Sequence, residues 1–157
     1  MILDVNKFLL TPMIMLGNRN MEYDYCMQVI QSPQGYCMEF GVWEGKSINY
    51  LAKKRPDITF YGFDSFEGLN EDWVGTRMTK KFFSNNGKMP KVHKNCFLIK
   101  GKVQDTLDGF LKKNKNLKIN FLHMDLDTYP STKYVLRKIK KNLLNDAIIL
   151  FDELYNM

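Results

Sequence analysis

Short apolar runs alternate with amphipathic stretches along most of the chain. The runs Tyr36–Phe40, Thr59–Asp64, Cys96–Lys100, Ile119–Met124 and Ala147–Phe151 are bounded by glycine, proline or polar clusters and read as buried strands. Between them, the spacing of apolar positions predicts helices over about Gly45–Lys54, Gln104–Lys113 and Pro130–Leu143, with an earlier one over Tyr23–Gln31. Pro33 and Pro56 stop the first two of these in chain order. The polar stretch Gly68–Lys94 is too long for a simple turn, and a short helix is expected within it near Thr76–Phe83. Strands alternating with helices imply an α/β fold, a doubly wound and mostly parallel sheet of about five strands with helices on both faces. One domain is expected, with residues 1–22 as an N-terminal segment or lid and 36–157 as the core.

Acids stand at the carboxyl ends of four of these strands: Glu39, Asp64, Asp125 with Asp127, and Asp152 with Glu153. Ligands of such sheets sit beyond the carboxyl ends of the strands. Any one of these acids could simply cap the helix that follows. The set gathers negative charge on one rim. The first strand runs into a glycine turn, Gly41-Val-Trp-Glu-Gly45-Lys46-Ser47, which fails as a phosphate loop. That motif needs four residues between its glycine and Gly-Lys-Ser; only Val42, Trp43 and Glu44 lie between them here. A dinucleotide fingerprint fails too, for want of its third glycine.

The charge on Glu39 would repel a pyrophosphate and hold a cationic amino-acid group. S-adenosylmethionine joins such a group to an adenosine, and so fits both halves of the pocket. Gly41 allows close approach to the backbone. Gly45 allows tight packing of the next helix, whose N-terminus with Ser47 can receive a carboxylate. Asp64, at the tip of the second strand, can accept both ribose hydroxyls. Trp43, in the turn, is a candidate ligand contact. His123 could serve as a base, although a histidine inside a strand is more often a hydrogen-bonded core residue.

Composition narrows the class. Hydrophobic residues make up 45% and aromatics 13%, so a packed globule is expected. No apolar run reaches the roughly 18 residues of a membrane span, and the apolar patch Phe8–Leu16 is interrupted by Pro12, so neither a membrane nor a signal peptide is expected. The net charge of +6 comes largely from lysines in Lys80–Lys118 and Lys133–Lys141, with no aromatic-interleaved basic stripe, so nucleic acid is not the expected partner. Cys26, Cys37 and Cys96 are widely spaced without a Cys-x-x-Cys pair, which suits reduced thiols and a cytoplasmic location.

The stretches Glu39–Ser47, Gly62–Leu69, Gly101–Leu107, His123–Asp127 and Ile148–Glu153 together resemble the macrocin O-methyltransferase family. These are sugar O-methyltransferases among the class I, S-adenosylmethionine-dependent enzymes. Gly-Phe-Asp-Ser-Phe-Glu-Gly-Leu at 62–69 is the most specific string. The resemblance implies a Rossmann-like fold and methyl transfer to a hydroxyl of a small molecule such as a sugar. It places Glu39, Gly41 and Ser47 on the methionine part, Asp64 on ribose, Ser65 and Phe66 beside adenine, and Val103 and Gln104 against the ring. Asp125 would face the cofactor or a magnesium ion held with Asp152 and Glu153. The family's sheet continues beyond the fifth strand, so the chain reads as a core lacking a C-terminal strand pair. Self-association through the uncharged run Ala147–Phe151 is then expected. A catalytically inactive S-adenosylmethionine-binding unit, or a nucleic-acid-directed methyltransferase, are the alternatives.

Overall fold

The computed structural model describes residues 18–30, 34–69, 77 and 79–152. Helix α1 (Arg19–Val29) opens them, its first turn capped by the Asn18 side chain, which accepts from the Met21 N–H at 3.0 Å. Then follow β1 (Tyr36–Phe40), α2 (Lys46–Lys54), β2 (Phe60–Asp64), β3 (Cys96–Lys100), α3 (Val103–Lys113), β4 (Ile119–Met124), α4 (Tyr129–Ile139) and β5 (Leu143–Phe151). The strands form one sheet in the order β3-β2-β1-β4-β5, and every pairing is parallel. The doubly wound α/β architecture expected from the sequence is the one observed.

Strand alternation sends neighbouring residues to opposite faces. On one face α1 and α2 bury Tyr23, Met27, Ile48 and Leu51 against Cys37, Phe60 and Phe121. On the other, α3 and α4 bury Val103, Leu107, Val135 and Ile139 against Met38, Phe40, Phe63, Leu122 and Met124. Phe40 and Phe63 stack across neighbouring strands with ring centres 4.9 Å apart.

Three boundaries differ from the expectation by four residues, the first being that α1 begins at Arg19 rather than Tyr23. The last helix ends at Ile139 rather than Leu143, because Asn142 closes a turn onto the Ile139 carbonyl and its own carbonyl accepts from Ile119 of β4. The chain therefore joins the sheet at Leu143, four residues before the expected start of the fifth strand. Of the helix expected near Thr76–Phe83, residues 76 and 78 lie outside the described residues. The described part is turned: Phe82 N–H donates to the Thr79 carbonyl, and Ser84 forms an isolated bridge with Glu67. β3 and β5 are the edges of the described sheet. Among the described residues, no helix is long and apolar enough to cross a membrane.

Candidate active site at the strand-order reversal

The strand order reverses between β1 and β4, and in a parallel sheet this leaves a crevice beyond their carboxyl ends. A cavity of about 610 Å³ opens there. That is within the usual range for small-molecule sites, roughly 300–1,000 Å³. Its walls come from the turn after β1, the ends of β2 and β4, the start of α3, and one side of α1 and α2.

Asp64 builds the turn. Its Oδ2 accepts the N–H groups of Val42 and Trp43, each at 2.7 Å, and its Oδ1 accepts that of Phe66 at 2.6 Å. These bonds hold Trp43 at φ 46°, a left-handed conformation that costs a non-glycine residue about 1–2 kcal/mol. A carboxylate has about four acceptor positions, and three are used, so one remains for a ligand. Gly41, at φ 90°, is required for a reason the sequence did not reveal: a Cβ there would run into the backbone carbonyl of Asp125. It lets the ends of β1 and β4 approach, a contact completed by the Asp125 N–H donating to the Phe40 carbonyl at 2.8 Å. Gly45, at φ 76°, is the N-cap of α2.

Behind the cavity a polar file runs along one sheet face. Glu39 and His123 are register partners on β1 and β4, and both side chains are fully buried. His123 Nδ1 lies 3.0 Å from Glu39 Oε2, and Ser47 Oγ donates to Glu39 Oε1 at 2.9 Å. Burial disfavours the imidazolium, but the hydrogen bond and charge of Glu39, helped by Asp125 and Asp152, outweigh it and raise the His123 pKa. Asp125 and Asp152 continue the file to the rim. Burial, then the charge of Asp152, pushes Asp125 up to about 7, against the pull of His123 and Arg19. Arg19 Nη2, from α1, lies 2.8 Å from Asp152. A ring nitrogen of His123 and carboxylate oxygens of Asp125 and Asp152 lie within 4.8 Å of one another.

Of the residues expected from the sequence, Gly41, Trp43, Ser47, Asp64, Ser65, Val103, Asp125 and Asp152 line the cavity. Glu39, Gly45, Phe66, Gln104 and His123 do not. Glu39 stands behind Ser47, whose hydroxyl donates to it. Phe66 is fully buried in the core. Gln104 turns to the Ser131 hydroxyl at 3.1 Å. His123 is fully buried, with its Nδ1 hydrogen-bonded to Glu39. Glu153 lies outside the described residues. Asp127, at φ 56°, turns the chain so that it lines the cavity along with Asp125. Arg19, Tyr23, Tyr50, Lys46 and Lys102 also line it and were not foreseen. Arg19 lies before the helix start expected at Tyr23, so no shared helix face pointed to the pair.

The family described as methyltransferase domain matches residues 38–154. No curated protein sequence matches the chain. Among solved structures, the crystal structure of CalS11, calicheamicin methyltransferase, is similar with a TM-score of 0.75 at 28% identity, over 87% of this chain and 64% of that one. The apo structure of CalS11, described as a TDP-rhamnose 3'-O-methyltransferase of calicheamicin biosynthesis, gives 0.66 at 25% identity, over 87% and 62%. A putative caffeoyl-CoA O-methyltransferase from Staphylococcus aureus, at 15% identity and a TM-score of 0.52 over 94% and 62%, shares the fold. The chain thus spans less than two thirds of the length of these structures.

Proposed function

This chain belongs to the methyltransferase domain family, and we propose that it transfers the methyl group of S-adenosylmethionine to a hydroxyl oxygen of a small molecule, a sugar in the first instance. The observation that carries this reading is the cavity at the strand-order reversal, whose acid-rich walls surround a turn pinned by Asp64. Five acids and three basic side chains line it, a balance that favours a cationic ligand over a pyrophosphate. The sugar rests on what CalS11 is said to act on.

S-adenosylmethionine supplies, when bound, a methyl carbon on a positively charged sulfur. The chain's own residues bind and align. Asp64 offers its remaining acceptor position to a ribose hydroxyl. Phe63 and Val103 give apolar walls for the base, and Trp43, edge-on to Phe83 at 5.1 Å, gives another from the turn. In-line attack forms the oxygen–carbon bond as the carbon–sulfur bond breaks, leaving a thioether and one proton from the acceptor. Asp125 and Asp127, whose carboxylates line the same cavity, are the groups we assign to receive that proton. A divalent cation, when bound, would polarise the hydroxyl, and Asp125 and Asp152, beside His123, could hold one.

The test is turnover with isotopically labelled donor and a panel of free sugars and nucleoside diphosphate sugars. S-adenosylhomocysteine released only when a hydroxyl acceptor is present, and lost in Asp125→Asn, is the expected result. Methylation of RNA with none of any sugar would overturn the reading.

A further inference from the structure

His123 is the group whose chemistry methyl transfer leaves unused. Its ring is fully buried. Glu39 accepts from Nδ1, which places the ring proton there and leaves Nε2, in the neutral imidazole, with a lone pair. Nε2 has no hydrogen-bond partner among the described residues, a rare state for a buried polar atom. Beside the ring, carboxylate oxygens of Asp125 and Asp152 lie within 4.8 Å of one another and of a ring nitrogen. Arg19 bonds Asp152 but leaves Nε2 without a partner.

We propose that His123 Nε2 is a metal ligand, and that with Asp125 and Asp152 it forms a mixed nitrogen–oxygen centre for a divalent first-row transition ion such as manganese, rather than an oxygen-only magnesium site. Its use in catalysis rests on the methyltransferase reading; its existence does not. Magnesium takes oxygen ligands and keeps its waters, whereas imidazole raises affinity along the first-row series. Two ligand atoms about 2.0–2.2 Å from one ion are at most about 4.4 Å apart, so small side-chain shifts close the site. Glu39 then completes a carboxylate–histidine–metal relay, fixing the tautomer that aims Nε2 at the ion. Ser47 Oγ, bonded to the other Glu39 oxygen, holds that carboxylate in place. Glu39 and Ser47 are positioning residues in this centre.

The chain has two histidines, His93 and His123, which makes the ligand assignable. The experiment is pulsed electron paramagnetic resonance on the chain loaded with Mn2+ alone. Nitrogen-14 modulation of an imidazole ligand is expected in the native chain and in His93→Gln, and is expected to vanish in His123→Gln. The preference for Mn2+ over Mg2+ should fall at least about tenfold in His123→Gln. The His93→Gln sample assigns the nitrogen even if His123→Gln fails to fold. Bound Mn2+ without nitrogen modulation, modulation that persists in His123→Gln, or no Mn2+ binding would each overturn the proposal. Donor titration of the same samples separates the two readings. Donor binding without nitrogen coupling leaves methyl transfer standing and removes the metal centre. Nitrogen coupling with no donor binding does the reverse.

Discussion

The two faces of one sheet are built to different rules. Under α3 and α4, β1 contributes Met38 and Phe40, β4 Leu122 and Met124, and β5 Ile149 and Phe151, so that face is apolar from end to end. Under α1 and α2 the same strands begin apolar, with Cys37, Phe121 and Ile148, and then change. Glu39 and His123 follow two residues on, and Asp125 and Asp152 after them. Polarity rises along one face toward the cavity, and on that face alone. The apolar face stabilises the sheet by burial and is free to do only that. The graded face gives up part of its burial to hold an ionisable chain, which must be satisfied by its own hydrogen bonds.

Substitutions on the two faces should separate stability from binding. Phe40→Ala empties the apolar face and should cost about 3–5 kcal/mol in denaturant unfolding, with donor affinity of the folded protein nearly unchanged. Glu39→Gln keeps the shape but breaks the buried file. It should cost less, about 1–3 kcal/mol, and weaken divalent-ion binding, which calorimetry would register. Asp64→Asn takes the anchor from the turn. We expect a loss of about 1–2 kcal/mol in donor binding, roughly tenfold or somewhat more, with a smaller change in unfolding free energy. Arg19→Ala, removing an ion pair whose arginine side chain is 59% exposed, should change unfolding by under about 1 kcal/mol. If Arg19→Ala proved as costly as Phe40→Ala, the two faces would not differ as described.

The sheet was legible because short apolar runs with glycine and proline at their ends have few other readings, and all five strands lie where those runs are. The acid rim was legible for the same reason, since a residue at the end of a strand is at the end of the sheet. Pairing across strands was not. Glu39 and His123 are 84 positions apart, and only the β1–β4 register brings them together. The role of Asp64 in pinning Val42 and Trp43 is likewise a matter of loop geometry that no spacing encodes. Leu143 and Leu144 suit a helix end as well as a strand start, which is why the boundary between α4 and β5 was misplaced. Arg19 and Tyr23 escaped notice because α1 lies before the first strand, and nothing in its pattern says which strand ends it overhangs.

On this reading the cavity between the ends of β1 and β4 takes S-adenosylmethionine. Titration calorimetry of the chain with S-adenosylmethionine and S-adenosylhomocysteine, beside NAD and ATP, tests it most directly. One-to-one binding of the first two, weakened in Asp64→Asn, with no heat from the others, is the expected result. Tight binding of NAD or ATP, with none of S-adenosylmethionine, would contradict it.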